Sequence, residues 1–438
     1  FIFSFFFLFV LRGNTQEVEI LTLEDCLRIG IDNNLSLEGK RKEIQKSKYG
    51  VSENRSKLLP QINAIAGYNN NFDPPVSVTD GSSYGVPYNI TKTLQHSANA
   101  GLEMQMPLFN QTLYTSMSIA KVMEEISRLS YGKAREDVIL QISKMYYLGQ
   151  VTAEQIMLIK ANITRLEELR DITQAFFDNG MSMEVDLKRV NINLENLKVQ
   201  YDNAQAMMKQ QLNMLKYIMD YPAEKEIALT PVNTDSITTV ALTGLSENIY
   251  ELQLSQSQVQ LAERQKKIIT NGYIPSLSLT GSWRYAAYTD KGYHWFHSGP
   301  SNQWFRSYGV GLTLRIPIFD GLDKTYKIKK AMIDIENKRL AWEDARKNLQ
   351  TQYLNAVNDL MNNQRNFKKQ KDNYLLAEDV YAVTSDRYRE GIASMTEVLQ
   401  DEMQMSEAQN NYISAHYNYR VTNLMLLKLT GQIESLVK

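Results

Sequence analysis

The sequence is poor in the residues that build disulfides and metal sites. Its 438 residues include one cysteine, Cys26, which excludes an internal disulfide. The four histidines leave little material for a metal centre, and the pair His294 and His297 is better explained as two exposed side chains of an aromatic loop. The formal net charge of −1 lacks the basic excess that nucleic-acid binding requires. No phosphate-binding glycine loop, nucleophile elbow or zinc-ligand spacing occurs, so nothing in the sequence supports an enzyme or a cofactor.

Proline is absent from two long stretches, between Pro107 and Pro222 and after Pro317. Because proline costs about 3 kcal/mol or more inside a helix, both stretches are free to be helical. They are rich in strong helix formers, and their apolar residues recur every three or four positions. One such row is Ile119, Val122, Ile126 and Leu129; another is Leu349, Tyr353, Val357 and Leu360. These narrow rows predict long helices packed as coiled coils.

Each proline-free stretch has one break, at residues 178–184 and 389–396, and each break contains a glycine, Gly180 or Gly391. Glycine after a helix end, followed by serine near the next start, is typical of a helical hairpin tip. The first arm would be about 100 Å long at 1.5 Å per residue. Shorter helices are expected at about 23–58 and 247–269.

The two halves of the sequence repeat one another. Residues 101–109 correspond to 311–319, residues 59–62 to 274–277, Gly180 to Gly391, and Tyr201 to Tyr412. A similarity of this length indicates a duplicated structural unit. It predicts a first repeat at 17–220, a joining segment at 221–245 and a second repeat at 246–438. Residues 1–16 begin with an apolar run that resembles the core of a secretory signal, so we expect a signal-peptide remnant; a buried strand is the alternative.

Two segments, 61–106 and 275–316, alternate apolar and polar residues and predict one β-hairpin each. Strands of about ten residues with two unlike faces and aromatic ends are typical of outer-membrane barrels. Two hairpins of a soluble sandwich remain the alternative. The residues expected to form an aromatic belt are Trp283, Tyr285, Tyr288, Trp304 and Tyr308.

Four strands cannot close a barrel, and an unpaired edge in lipid leaves backbone groups unsatisfied at several kcal/mol each. If the hairpins enter a bilayer, several chains must therefore share one barrel. Two chains would supply eight strands and three would supply twelve.

The duplication, the proline-bounded hairpins and the glycine-containing tips together resemble the TolC-like outer-membrane efflux proteins. The opening residues 21–27 are also similar to the start of that family's first helix. The resemblance implies a mostly α fold with a membrane β-barrel part: a homotrimer with a 12-stranded barrel in the outer membrane and an α-helical tunnel across the periplasm. It implies outer-membrane lipid, a periplasmic adaptor protein and, indirectly, an inner-membrane transporter as partners. The tip residues expected to face the adaptor are Gly180, Met181, Ser182, Gly391, Ile392, Ala393 and Ser394.

The resemblance also implies a narrow aperture at the tips. In the family, acidic residues after the second tip can ring this aperture; here Glu397 stands at the first such position, while Gln400 replaces the second acid. Tyr388 matches a tyrosine that helps hold the aperture shut in some members, and Asp186 aligns with Glu397 in the first repeat. All four are expected to line the pore. From the residues alone, Glu397 and Gln400 share one helix face, and Glu397 could instead cap its helix.

The predicted function is that of a passive export conduit, the outer-membrane exit duct of a tripartite efflux or type I secretion system. A structural or adhesive coiled-coil stalk is the main alternative, although a stalk has no need for amphipathic strand pairs. A helical pore-forming toxin is a third hypothesis.

Overall fold

The computed structural model describes residues 18–231, 244–290 and 304–437. The expected signal-peptide remnant, residues 232–243 of the joining segment, and the loop with His294 and His297 lie outside the described residues. The chain divides into two compact units. The hairpin unit comprises residues up to 42, 128–255 and 342–438, and the sheet unit comprises 43–127 and 256–341.

The described ranges contain seven α-helices and eight strands. The helices are α1 (Leu23–Asn33), α2 (Leu35–Ser56), α3 (Gln111–Asp178), α4 (Glu184–Met219), α5 (Tyr250–Asn271), α6 (Asp323–Arg389) and α7 (Met395–Leu429). The strands are β1 (Glu19–Leu21), β2 (Gln61–Asn70), β3 (Val76–Asp80), β4 (Tyr88–Lys92), β5 (His96–Phe109), β6 (Ile227–Leu229), β7 (Ser276–Thr289) and β8 (Trp304–Arg315). In the ranges that the structure describes, no helix is both long and apolar enough to cross a bilayer.

The first predicted helix is interrupted at Asn34, where the structure has two helices instead of one. The Leu37 backbone N–H donates to Asn34 Oδ1 at 3.1 Å, so the asparagine side chain satisfies a free donor at the start of α2. Asn34 Nδ2 donates to the Ile218 carbonyl at 2.7 Å. This second bond, to a residue 184 positions away, holds the break in place and has no signal in the local sequence.

The core of the hairpin unit lies where α1, α3 and α4 meet, and includes Leu27, Ile139, Ile142, Leu215 and Met219. Beside it, β1 pairs in parallel with β6, which joins the start of the described chain to the segment between the repeats. Cys26 is fully buried in this core, and burial raises the pKa of its thiol to about 12.

The sheet unit contains a four-stranded antiparallel sheet in the order β2-β5-β7-β8. The two hairpins of the repeats are joined at its centre, where β5 pairs with β7. The sequence predicts one hairpin over residues 61–106, but the segment between β2 and β5 contains a further hairpin, β3–β4. Val76 and Val78 alternate there with Ser77 and Thr79, a period of two within a tract that Pro74 and Pro75 separate from β2.

Candidate functional site

The strand register sorts the side chains of the four-stranded sheet into two faces, because directly opposed residues of antiparallel strands point to the same side. Trp283 opposes both Leu102 and Tyr308, and Leu102 opposes Ala64. This row belongs to an apolar face. The apolar face comprises Ile62, Ala64, Ala66, Tyr68, Leu102, Met104, Leu279, Trp283, Tyr285, Trp304, Tyr308, Val310, Leu312 and Leu314.

The opposite face of the sheet is polar. Asn63 opposes Glu103, which opposes Ser282, and Ser282 opposes Gly309. Glu103 forms an ion pair with Arg284 on this face. The face borders a cavity of about 490 Å³ whose lining includes Asn63, Gln105, Thr280 and Ser282. One sheet therefore presents an apolar surface on one side and a polar, charged concavity on the other.

Four of the five expected belt residues fall on the apolar face: Trp283, Tyr285, Trp304 and Tyr308. The rings of Trp283 and Tyr285 meet edge to face at 5.5 Å. Tyr288 does not join them, because it opposes Ser97 and lies on the polar face. The reason is the two-residue period of a strand: position 288 is out of phase with 283 and 285. The charged exception on the apolar face is Arg306, whose guanidinium carbon lies 5.9 Å from the centroid of the Tyr308 ring.

The two hairpin tips end their first helices in the same way. Gly180 and Gly391 have φ angles of 75° and 74°, the left-handed region that glycine adopts without strain. At the first tip, the N–H of Gly180 donates to the Phe177 carbonyl and the N–H of Met181 to the Phe176 carbonyl, at 2.9 and 2.8 Å. At the second tip, the N–H of Gly391 donates to the Tyr388 carbonyl and the N–H of Ile392 to the Arg387 carbonyl, again at 2.9 and 2.8 Å. This arrangement is a Schellman motif in each repeat.

The second tip begins its return helix with a capping box. Ser394 Oγ accepts from the Glu397 backbone N–H at 3.3 Å, while the Glu397 carboxylate accepts from the Ser394 backbone N–H at 2.8 Å. These hydrogen bonds from Ser394 hold the pKa of the Glu397 carboxyl below its ordinary value. Glu397 is exposed, as is Gln400 one turn further along α7. The capping alternative for Glu397 therefore applies, and both bonds that its carboxylate accepts from Ser394 go to the same oxygen, Oε2.

The first tip is capped differently. Met183 occupies the N-cap of α4, and within the described part of the chain no side-chain hydrogen bond caps this helix. Asp186, which aligns with Glu397, forms an ion pair with Arg189 at 3.3 Å instead. Arg189 also donates to Thr396 Oγ1 at 3.3 Å, so it links α4 to α7. Asp186 is thus engaged between the two tips of one chain.

Tyr388 is buried, which does not fit the prediction that it lines the pore. Its side chain is 6% exposed, and its ring lies 5.6 Å from that of Phe176, centroid to centroid. The Tyr388 hydroxyl donates to Thr173 Oγ1 at 3.2 Å. Burial raises the pKa of this phenol. Tyr388 belongs to the apolar core between α3 and α6 and joins the two hairpins directly above their tips.

Charged pairs that the sequence analysis did not identify also join the two hairpins. Arg165 Nη2 lies 2.5 Å from Glu378 Oε1, and Arg389 Nη2 lies 3.3 Å from Glu168 Oε2. The four side chains border a cavity of about 220 Å³ between α3 and α6. The partners are more than 200 residues apart in sequence and do not occupy equivalent repeat positions, so no local pattern signals these pairs.

Glu402 of α7 is the second feature that sequence reasoning missed. It is 4% exposed, and among the described residues its Oε1 atom has no hydrogen-bond partner. Burial raises the pKa of this carboxyl to about 6. The sequence gives a partial indication of this burial. Glu402 lies between the apolar residues Val398, Leu399 and Met405, which mark the buried face of the helix.

Comparison with known proteins identifies the family. The profile of the outer membrane efflux protein family matches residues 29–219 and 241–432. The chain is 21% identical over 399 residues to the outer membrane protein TolC of Vibrio cholerae, covering 87% of this chain and 84% of that protein. It is 23% identical over 379 residues to the probable efflux pump outer membrane protein TtgC of Pseudomonas putida, covering 82% and 75%.

Solved structures show the same fold. The membrane channel CusC superposes with a TM-score of 0.77 at 15% identity, covering 93% of this chain and 91% of that one. The outer membrane channel MtrE of Neisseria gonorrhoeae, in its open state, superposes with a TM-score of 0.73 at 19% identity, covering 93% and 88%. The family profile spans most of the sequence, so the chain belongs to the outer membrane efflux protein family and is an outer-membrane protein that acts in efflux.

Proposed function

We propose that three copies of this chain form one channel, with a 12-stranded barrel in the outer membrane and a tunnel of helices in the periplasm. The observation that carries the proposal is the sorting of the sheet into an apolar and a polar face, with β2 and β8 at its two edges. An apolar outer surface suits lipid, and a polar inner surface suits a water-filled conduit. A stalk would not need this combination. A soluble sandwich would cover the apolar face with a second sheet, whereas here Trp283, Tyr308 and Val310 of that face are 46%, 77% and 80% exposed.

The proposed channel is passive, the exit duct of a tripartite efflux or type I secretion system. The chain forms the pore through which the cargo leaves, and the partner proteins supply the energy for its transport. The Pseudomonas putida relative is described as an efflux pump outer membrane protein, which supports a pump as the source of cargo. No cofactor is required for this function. We propose that the side chains line the pore, narrow its aperture and bind the adaptor.

Planar-bilayer recording of the purified protein tests the channel. We expect stable conductance steps together with a mass of three chains in detergent. A protein that remains monomeric in detergent and gives no conductance in lipid would contradict the proposal. Detergent dependence provides a further check, because a stalk stays soluble when detergent is removed.

The tips are the proposed docking site for a periplasmic adaptor, which in turn meets an inner-membrane transporter. The side chains of Met181 and Ile392, one at each tip, are exposed although apolar, which is typical of a contact surface. Met181→Asp and Ile392→Asp should reduce efflux by cells while leaving the conductance of the isolated channel unchanged. Met157→Asp is the matched control, because Met157 is an exposed methionine of α3 away from the tip. Equal loss in the control would refute docking at the tips.

The same tips are proposed to form the aperture. Glu397 and Gln400 are exposed on one face of α7, so three copies would place them in two adjacent rings. A ring of three carboxylates in a narrow pore attracts cations. Asp186, which pairs with Arg189 beside Thr396, is proposed to lie at the same aperture, and Tyr388 fixes the hairpins to each other from within the core.

A further inference from the structure

Arg306 is the one charged side chain on the apolar face, because the residues of β2, β5, β7 and β8 that share this face include no other arginine, no lysine and no acid. Its side chain is exposed. Within the described ranges, no carboxylate pairs with the guanidinium and no acceptor takes its N–H donors. A surface that otherwise suits lipid therefore carries a cation whose hydrogen-bonding capacity is unused.

Arg306 lies near the end of the sheet that is remote from the helices. α5 precedes β7 and α6 follows β8, so the helices join the sheet at the end that contains Leu314, whereas β8 begins at Trp304. Positions 306 and 314 are eight residues apart, which is roughly 27 Å along the strand. Because strands of outer-membrane barrels tilt by about 35–45°, this length spans most of an apolar band about 25 Å tall. In the proposed barrel Arg306 therefore lies at the outer boundary of the bilayer.

An arginine is tolerated at this depth for a physical reason. A cation on a lipid-facing surface is unfavourable at the middle of the bilayer and nearly neutral at its interface. The long apolar stem lets the guanidinium extend from the strand into the headgroup layer. Two tyrosines flank Arg306, as is typical of a membrane interface. The ring centroid of Tyr308 lies 5.9 Å from the guanidinium carbon, and Tyr285 is directly opposite on β7.

The surface of the sheet is shallow beside Arg306. Two adjacent rows of the apolar face cross the sheet there, and each row has alanine on two of its four strands. One row is Tyr68, Ala98, Ala287 and Trp304, and the next is Ala66, Ala100, Tyr285 and Arg306. The alanines rise little above the backbone, while large rings stand on both sides of them. The depression suits an acyl chain whose headgroup reaches the guanidinium.

The two ends of the apolar face differ in charge. At the helical end the face finishes with Ile62, Leu277 and Leu314, which carry no charge. The cation is confined to the opposite end, so its anionic partner is expected in the outer leaflet. In an outer membrane that leaflet consists mainly of phosphorylated glycolipid, whereas phospholipid fills the inner leaflet.

We propose that Arg306, with the alanine depression beside it, binds the phosphorylated headgroup of a glycolipid in the outer leaflet of the membrane. Arginine presents its N–H donors as a planar fork that matches two oxygens of one phosphate, and the depression accommodates one acyl chain of the same lipid. This inference rests on the proposed position of the apolar face in the bilayer and adds a specific lipid site to it.

Native mass spectrometry of the intact protein in detergent, with bisphosphorylated lipid A as the probe, tests the site. Arg306→Gln should weaken binding of this lipid roughly tenfold, because it removes charge-assisted hydrogen bonds to the phosphate. Arg315→Gln is the matched control: Arg315 is an exposed arginine of the same strand that lies on the polar face, and its substitution should leave the affinity unchanged. Lipid A without phosphates should bind the parent chain as weakly as the phosphorylated form binds Arg306→Gln.

Equal affinity of Arg306→Gln and the parent chain for phosphorylated lipid A would overturn the proposal. So would equal competition by phosphatidylglycerol, since an inner-leaflet phospholipid would then fit the site as well. Conductance in planar bilayers separates these results from a failure of the proposed channel. A parent chain that does not insert or conduct would refute the channel, and the lipid site would fall with it.

A second variant protects the test against loss of folding. Arg306→Lys keeps the positive charge but lacks the planar fork, so its affinity for phosphorylated lipid A should lie between those of the parent chain and Arg306→Gln. If Arg306→Gln yields no folded protein, two comparisons still decide: Arg306→Lys against the parent chain, and the two forms of lipid A on the parent chain. Parent binding that does not depend on the phosphates would refute the site.

Discussion

Ser394 and Glu397 cap α7 through a reciprocal pair of hydrogen bonds, from the Ser394 N–H to the carboxylate at 2.8 Å and from the Glu397 N–H to Ser394 Oγ at 3.3 Å. The equivalent position of the first repeat is Met183, which offers no such acceptor. The two return helices therefore start with different local stability, although the glycine turns before them have the same geometry.

Substitutions at these two N-caps should change the stability of the first helical turn in opposite directions. Ser394→Ala removes the cap and should destabilise the first turn of α7 by about 1 kcal/mol, whereas Met183→Ser should add a comparable cap to α4. Hydrogen exchange of amides in the first turn of each helix is the measurement. We expect several-fold faster exchange in the first variant and slower exchange in the second. Unchanged exchange in both would show that packing, and not capping, fixes the tips.

Glu397 should govern the ion preference of the channel. Glu397→Gln removes the proposed ring of charge and should reduce cation selectivity and block by divalent cations in single-channel recordings. Glu407→Gln is the control, because Glu407 is an exposed acid of the same helix, ten residues further on. Equal effects of the two substitutions would remove Glu397 from the lining of the pore.

The pH dependence of this selectivity follows from the capping box. Hydrogen bonds from Ser394 lower the pKa of the Glu397 carboxyl below the ordinary 4.5, so the ring stays ionised to lower pH than a free glutamate. A lowered folded-state pKa also means that the cap stabilises the tip above that pH and is lost as the pH falls through it. Cation preference should therefore persist at pH 5 and also at pH 4.5, where an unperturbed glutamate is about half protonated, and it should be lost only at lower pH. Its loss already at pH 6 would contradict this assignment.

The contribution of Glu402 to the stability of the fold should depend on pH in the opposite direction from that of Glu397. Its folded-state pKa is raised to about 6 by burial, so its ionisation opposes folding; the penalty is absent below the ordinary value of 4.5 and complete above about 6. Glu402→Gln should stabilise the hairpin unit at pH 7 by roughly 2 kcal/mol, the equivalent of about 1.5 pKa units. Thermal unfolding at pH 4.5 and pH 7 is the measurement. A stabilisation of equal size at both pH values would refute titration of Glu402 as the cause.

Trp283 can test the proposal that the apolar face of the sheet contacts lipid. In a variant that keeps Trp283 and has phenylalanine at the other three tryptophans, brominated lipid should quench the fluorescence strongly, because Trp283 lies on the apolar face. A variant that keeps Trp342 alone, on α6, should be quenched little. Introducing tryptophan at Tyr288 of the polar face gives a second control within the sheet. Equal quenching at positions 283 and 288 would contradict the assignment of the two faces.

Patterns with a local physical cause were readable from the sequence. The absence of proline and the spacing of apolar residues predicted α3 and α6, because helix periodicity and the missing amide of proline act within a few residues. The glycines of both tips were likewise recognisable, since the left-handed turn at Gly180 and Gly391 favours glycine. The alternation in β2 and β7 predicted which residues share a face.

Features that depend on distant partners were not readable. The break at Asn34 needs the Ile218 carbonyl, and Tyr388 is buried because Phe176 and Thr173 lie against it. The resemblance indicated a tyrosine at the tip but could not show that its side chain turns away from solvent. Tyr288 was misplaced for a simpler reason: aromatic residues were grouped by nearness in sequence when the strand period separates them.

The two bare edges of the sheet have a consequence for how the channel is made. In a newly exported chain the outer edges of β2 and β8 are unpaired, and the apolar face beside them is unfavourable in water. In the proposed trimer these edges pair with other copies of the chain, and until then they can pair with an unrelated strand. Biogenesis should therefore depend steeply on the rate of synthesis, with slow supply leaving chains to proteolysis and excess supply favouring aggregates.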